Sequence, residues 1–304
     1  MGSSPQADVW LTRELVFEGR NGSAPVMTWQ IAAPLAIILL FGLPHGAADA
    51  ILALRLRTLG KLSLGGFMAA YLLLTGIALI FWWWLPMLSL IAFLFMSVVH
   101  FGLGDTAKVT PDHMPAPRAN RGLRAIVHGA TVITIVPLAH GPEVSEIFSL
   151  LADRDARTLT DVLGWLTWLW LFGVVWIAIS GKSTAVKAVL EIMLIAALLA
   201  ILPPLWGFAF YFCAIHAARH SRAVISALTL DGSVNWLWVA GVTGISIAAI
   251  AGAAAALQTT SFDAALIRAT FIGLAALTIP HMILIDVYEA LPRINAARGA
   301  LSAP

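Results

Sequence analysis

Charge is scarce in this sequence. Asp, Glu, Lys and Arg make up 11% of its 304 residues, against about a quarter in an ordinary soluble domain. Cysteine is scarcer still. Cys213 stands alone, which excludes an intramolecular disulfide and any site built on several thiolates. A net charge of +2 gives no basic surface for nucleic acid. The polar stretch through about Met27 lacks the charged start and apolar run of a signal peptide. There is no phosphate-cradling loop and no Ser–His–Asp set to carry hydrolytic chemistry.

What is there is apolar. Hydrophobic residues account for 60% of the chain, and its mean hydropathy is +0.89. A spanning helix needs about 20 apolar residues. Nine stretches qualify: 28–54, 64–84, 86–106, 121–140, 159–180, 184–202, 205–228, 235–257 and 264–290. The expected fold is an all-α polytopic transmembrane bundle of about nine helices, with eight as the alternative count. The second and third are the least secure pair, because only Leu85-Pro86 separates them. Residues 1–26 form a polar N-terminal segment, 27–292 a single membrane domain, and 293–304 a C-terminal tail. Of the 18 Lys and Arg, 13 fall in the connections that follow odd-numbered helices. The positive-inside rule therefore places the N-terminus outside and the C-terminus in the cytoplasm.

Within this scaffold the histidines stand out. His216 and His220 are four apart in an apolar run, so a helix presents both on one face. His45, His100 and His281 lie on other spans that run in the same direction. All five sit about 11 to 17 residues past their helix starts, which gives them a common depth at 1.5 Å per residue. Five imidazoles at one level point to a metal site, and imidazole suits Zn, Cu, Fe or Ni. Asp49, Asp105 and Asp286 follow His45, His100 and His281 by four or five residues. They are candidates to accept the second imidazole N–H of a ligand and to offset the ion's charge. Pro44 and Pro280 each precede a histidine and kink their helices. Gly46, Gly102 and Gly104 allow close helix approach. His128 reads as a polar core residue near the site, while His113 and His140 lie in or beside connections. Trp165, Trp168, Trp170, Trp176, Trp236 and Trp238 either face lipid or line an apolar tunnel.

Four motifs carry a resemblance: Gly-Leu-Pro-His-Gly-Ala-x-Asp at 42–49, His-Phe-Gly-x-x-Asp at 100–105, His-x-x-x-His-Ser at 216–221 and Pro-His-Met at 280–282. Together and in this order they resemble the Brp/Blh family, the bacteriorhodopsin-related protein and its bacterial homologues, over about residues 40–290. These are membrane β-carotene 15,15'-dioxygenases. The resemblance implies an enzyme of the bacterial cell membrane that uses Fe(II) and O2. It would cleave the central double bond of β-carotene into two all-trans-retinal molecules for a rhodopsin. It also implies His45, His100, His216 and His220 as the iron ligands, with the role of His281 open. The other readings that the residues allow are a proton-coupled transporter, a di-iron desaturase or hydroxylase, and a b-type haem protein. The desaturase is the poorest fit, since eight histidines with one His-x-x-x-His box fall short of its several His-rich boxes.

Overall fold

The computed structural model describes residues 29–47, 64–106, 118–180, 183–222, 236–257 and 261–301. Every regular element among them is helical. Helix α1 (Trp29–Ile37) passes through a π-helical stretch (Ile38–Gly42) into α2 (Leu43–Ala47). Helices α3 (Leu64–Trp84) and α4 (Pro86–Thr106) meet at one residue, Leu85. Pro86 opens α4, where a missing N–H costs nothing. Then come α5 (Arg118–Ala139), α6 (Gly141–Ala152), α7 (Arg157–Ser180) and α8 (Ser183–Ile201). Helix α9 (Pro204–Ala209) runs into a second π-helical stretch (Phe210–Ala217), followed by a helical turn over 218–222. Helices α10 (Trp236–Ala256) and α11 (Phe262–Leu301) complete the chain.

The bundle is all-α, as its composition requires, but the count differs from nine. Seven helices among the described residues are long and apolar enough to cross a membrane. Of the other two expected spans, 184–202 is present as α8 (Ser183–Ile201). The described part of 205–228 lies within the helical segment 204–222, where His216, Arg219, His220 and Arg222 lower the apolarity. Helix α11 continues unbroken past Pro280 to Leu301, into the stretch 293–304 expected to be a tail. The connection 141–158 is not simply polar. It folds into α6, which buries Val144 and Leu151 and ends at Asp153 in the left-handed conformation.

Helix α5 is the hub, packing on α4, α7 and α8. Its crossing with α4 is set by glycine. A Cβ on Gly102 would lie 2.1 Å from the Ala125 carbonyl oxygen, and one on Gly129 would lie 1.9 Å from that of Val98. Backbone meets backbone here, as small residues permit between membrane helices. Several hydroxyls are satisfied within their own helices, as in Ser97 to the Phe93 carbonyl at 2.8 Å and Thr131 to that of Val127 at 3.0 Å. A chain in hydrocarbon needs this internal pairing. Of the six tryptophans, Trp165, Trp168, Trp176, Trp236 and Trp238 point outward, which suits lipid. Trp170 is buried, with Nε1–H donating to the Val127 carbonyl at 3.0 Å. It supports α5 against α7 rather than lining a tunnel.

Candidate metal centre

Four segments carry the five membrane histidines into one cluster. His45 comes from α2, His100 from α4, His216 from the second π-helical stretch with His220 just beyond it, and His281 from α11. The His45 ring centroid lies 5.3 Å from that of His216, 5.4 Å from His220 and 5.3 Å from His281. His100 lies 4.8 Å from His216 and 5.1 Å from His281, and His220 lies 5.1 Å from His281. His45, His216 and His281 are buried, and His100 and His220 are half-buried.

The local backbone explains part of this convergence. The two π-helical stretches pack against each other. Cys213, in the second, donates from Sγ to the carbonyl of Ile37, the residue just before the first, at 3.5 Å. A Cβ on Gly42 would lie 2.2 Å from the Phe212 ring, so glycine is required at that contact. His216 and His220, expected on one face, are neighbours there with ring centroids 6.4 Å apart, although the helix changes type between them. Gly102 fulfils its expected packing role. A Cβ on Gly104 would lie 3.5 Å from the His216 ring, and one on Gly46 would meet nothing within 4 Å.

The hydrogen bonds fix the direction of two imidazoles. His45 Nδ1–H donates to the carbonyl of Gly42, the last residue of the first π-helical stretch. His216 Nδ1–H donates to Asp105 Oδ1 at 3.0 Å. Both bonds leave Nε2 as the lone-pair nitrogen, the usual way a partner sets the ligating tautomer. His216 Nε2 is buried with no hydrogen-bond partner, and so is His220 Nδ1. A buried, unpaired imidazole nitrogen is costly unless something occupies its lone pair. The ligand nitrogens of His45, His100 and His216 lie within 4.8 Å of one another, a set able to hold one ion. The residues therefore fit a metal bound through nitrogen.

Asp105 is the one carboxylate of the expected three whose side chain falls in the described region. It is buried and holds His216 rather than the nearby His100. Asp49 lies outside the described residues, as does the side chain of Asp286. Behind Asp105 runs a polar network that sequence reasoning missed. Tyr211 is fully buried and donates its hydroxyl to Asp105 Oδ2 at 3.0 Å. His128 Nδ1–H reaches the Tyr211 oxygen at 3.3 Å. Arg219 donates to the Asp105 carbonyl at 3.1 Å, to His128 Nε2 at 3.3 Å and to Glu191. Glu191 and Arg219, two charges in apolar runs, were the available signal. His128 is thus a buried polar residue one step removed from the cluster.

On its other side the cluster faces an apolar cleft. His45, His100 and His281 form part of its wall, and Phe67, Phe93 and Leu274 are typical of the remainder.

Comparisons with known proteins agree with this arrangement. A family profile described as beta-carotene 15,15'-dioxygenase matches residues 36–289. The chain is 32% identical to a beta-carotene 15,15'-dioxygenase of an uncultured marine bacterium, 66A03, over 83% of this chain and 91% of that protein. It is 28% identical to a probable beta-carotene 15,15'-dioxygenase, Blh, of Halobacterium salinarum, over 67% of this chain and 64% of that one. No solved structure matches the chain. The profile spans the whole histidine cluster and nearly all of the membrane region, and the chain belongs to the β-carotene 15,15'-dioxygenase family.

Proposed function

We propose that this protein cleaves the central 15,15' double bond of β-carotene with O2, giving two all-trans-retinal molecules, at one Fe(II) held by His45, His100, His216 and His220. The observation that carries the reading is the buried imidazole cluster opening on an apolar cleft, in a chain of this family. Bound Fe(II) supplies the activation of O2, and a histidine shell leaves positions open for it. The remaining work belongs to the chain. His45 and His216 present Nε2 because Gly42 and Asp105 hold their Nδ1–H groups. Asp105 lends negative charge beside the cluster, which offsets part of the ion's charge in a low-dielectric interior. Apolar cleft walls exclude water and accept a polyene dissolved in the bilayer, so positioning of the central bond is the main task of the protein. The location that follows is a bacterial cell membrane, and the product suits a neighbouring rhodopsin.

Metal analysis and retinoid chromatography on alanine variants test this directly. Each of His45→Ala, His100→Ala, His216→Ala and His220→Ala should lose iron and retinal formation, while His140→Ala stays active. His281→Ala decides the open role: loss of iron makes His281 a fifth ligand, and iron without turnover makes it a group acting on oxygen or substrate. The reading fails if a His216→Ala/His220→Ala double variant still cleaves carotene.

A further inference from the structure

A second apolar cleft lies beside the first. Phe93, Ser97, Phe101 and Phe208 line both. The first three recur every four residues on α4 and so share one face. Ser97 is the small member between two phenylalanines. Its hydroxyl is engaged by the Phe93 carbonyl, so it offers a ligand room rather than polarity. Phe101 lies 4.7 Å from the His216 ring. Phe208 stacks on Phe212 at 5.5 Å, and Phe212 lies 5.4 Å from His45. The partition between the clefts is therefore built against the histidine cluster itself. Beyond it the second cleft has no charged residue in its walls, and Val144 and Leu151 of α6 line it and not the first cleft.

We propose that the second cleft is the binding site for one half of the carotenoid, with the other half in the first cleft and the chain passing over Ser97. This rests on the proposed function. Central cleavage needs the middle bond at the histidines, and a symmetric substrate then needs an apolar space on each side. A single cleft with the cluster in its wall would leave the second half unhoused. From Leu90, on the wall of the second cleft, to His100 is ten residues of α4, about 15 Å of helix. That is a length suited to half of an extended carotenoid. Val144, which is buried on α6 and lines only the second cleft, then limits how long that half can be.

The test compares β-carotene with β-apo-8'-carotenal, which keeps one half whole and lacks the end of the other. Both are titrated against the wild-type protein, Val144→Leu and Val144→Phe with O2 excluded, and turnover is then followed in air. The larger side chains fill part of the second cleft. Affinity for β-carotene should fall with side-chain size, roughly tenfold for phenylalanine, while affinity for the shortened carotenal holds. Should Val144→Phe fail to fold, Val144→Leu carries the same comparison. Variants that keep the wild-type preference between the two ligands overturn the proposal alone. A wild-type protein that leaves β-carotene uncleaved removes the proposed function, and this inference with it.

Discussion

At the residue scale the decisive group beyond the histidines is Asp105. Its two oxygens are both committed, Oδ1 to His216 and Oδ2 to Tyr211. An amide at this position accepts only one of those bonds, and its NH2 then faces a donor. Asp105→Asn should lower metal retention by about 10- to 100-fold, as removal of an outer partner of a ligating histidine does. Bound iron per protein after dialysis measures this, and unchanged retention would reduce Asp105 to a packing role. The sequence marked Asp105 because it follows His100 by five residues. The bond it makes is to a residue 111 positions away. Chain proximity identified the carboxylate but not which imidazole it holds, because the Asp105 side chain on α4 turns toward the second π-helical stretch. Tyr211 was invisible for a related reason. A tyrosine in an apolar run reads as core until its hydroxyl has a named acceptor.

At the element scale, helices were legible because length and apolarity alone specify them in a membrane. Two features were not. Helix α6 is short and bounded by polar residues, so its Val144–Leu151 face has no membrane signature. The π-helical stretches arise from packing between segments far apart in the chain, and neither contains a residue that demands a wider turn. The α4–α5 crossing was partly readable from Gly102, but its partner Gly129 needed the structure. A methyl at Gly102 cannot be absorbed by a side-chain rotation, since the atom it meets is the Ala125 backbone oxygen at 2.1 Å. Gly102→Ala should therefore destabilise by about 1–3 kcal/mol through forced separation of the helices. It should also weaken iron binding, because His100 and Asp105 ride on the same helix. Gly46→Ala is the control, with open space around its Cβ position. Thermal unfolding and iron content of both variants in detergent check the pair. Equal behaviour would show that the crossing tolerates a methyl.

For the whole molecule the open quantity is sidedness. Sequence placed 13 of 18 basic residues on one side of a nine-span scheme. Seven helices satisfy length and apolarity among the described residues, and the two expected spans outside that count, 184–202 and 205–228, are consecutive. Removing two consecutive crossings leaves every other connection on its original side, so the charge asymmetry survives either count. Moving one Lys or Arg loop to the wrong side opposes the bias that sets orientation during insertion. Reporter fusions at Lys61 and Asp112, within 48–63 and 107–117, and at the C-terminus should therefore all report cytoplasmic. A fusion at Arg154, beside the end of α6, should report external. Arg154 is the informative position, because α6 packs on α7 and α11 and lines the second cleft. An external reading puts that wall at the outer face, with the histidine cluster deeper toward the cytoplasm. Opposite readings from the 48–63 and 107–117 fusions would mean that α3 and α4 do not cross as a pair, and the depth argument that aligned the five histidines would lose its basis.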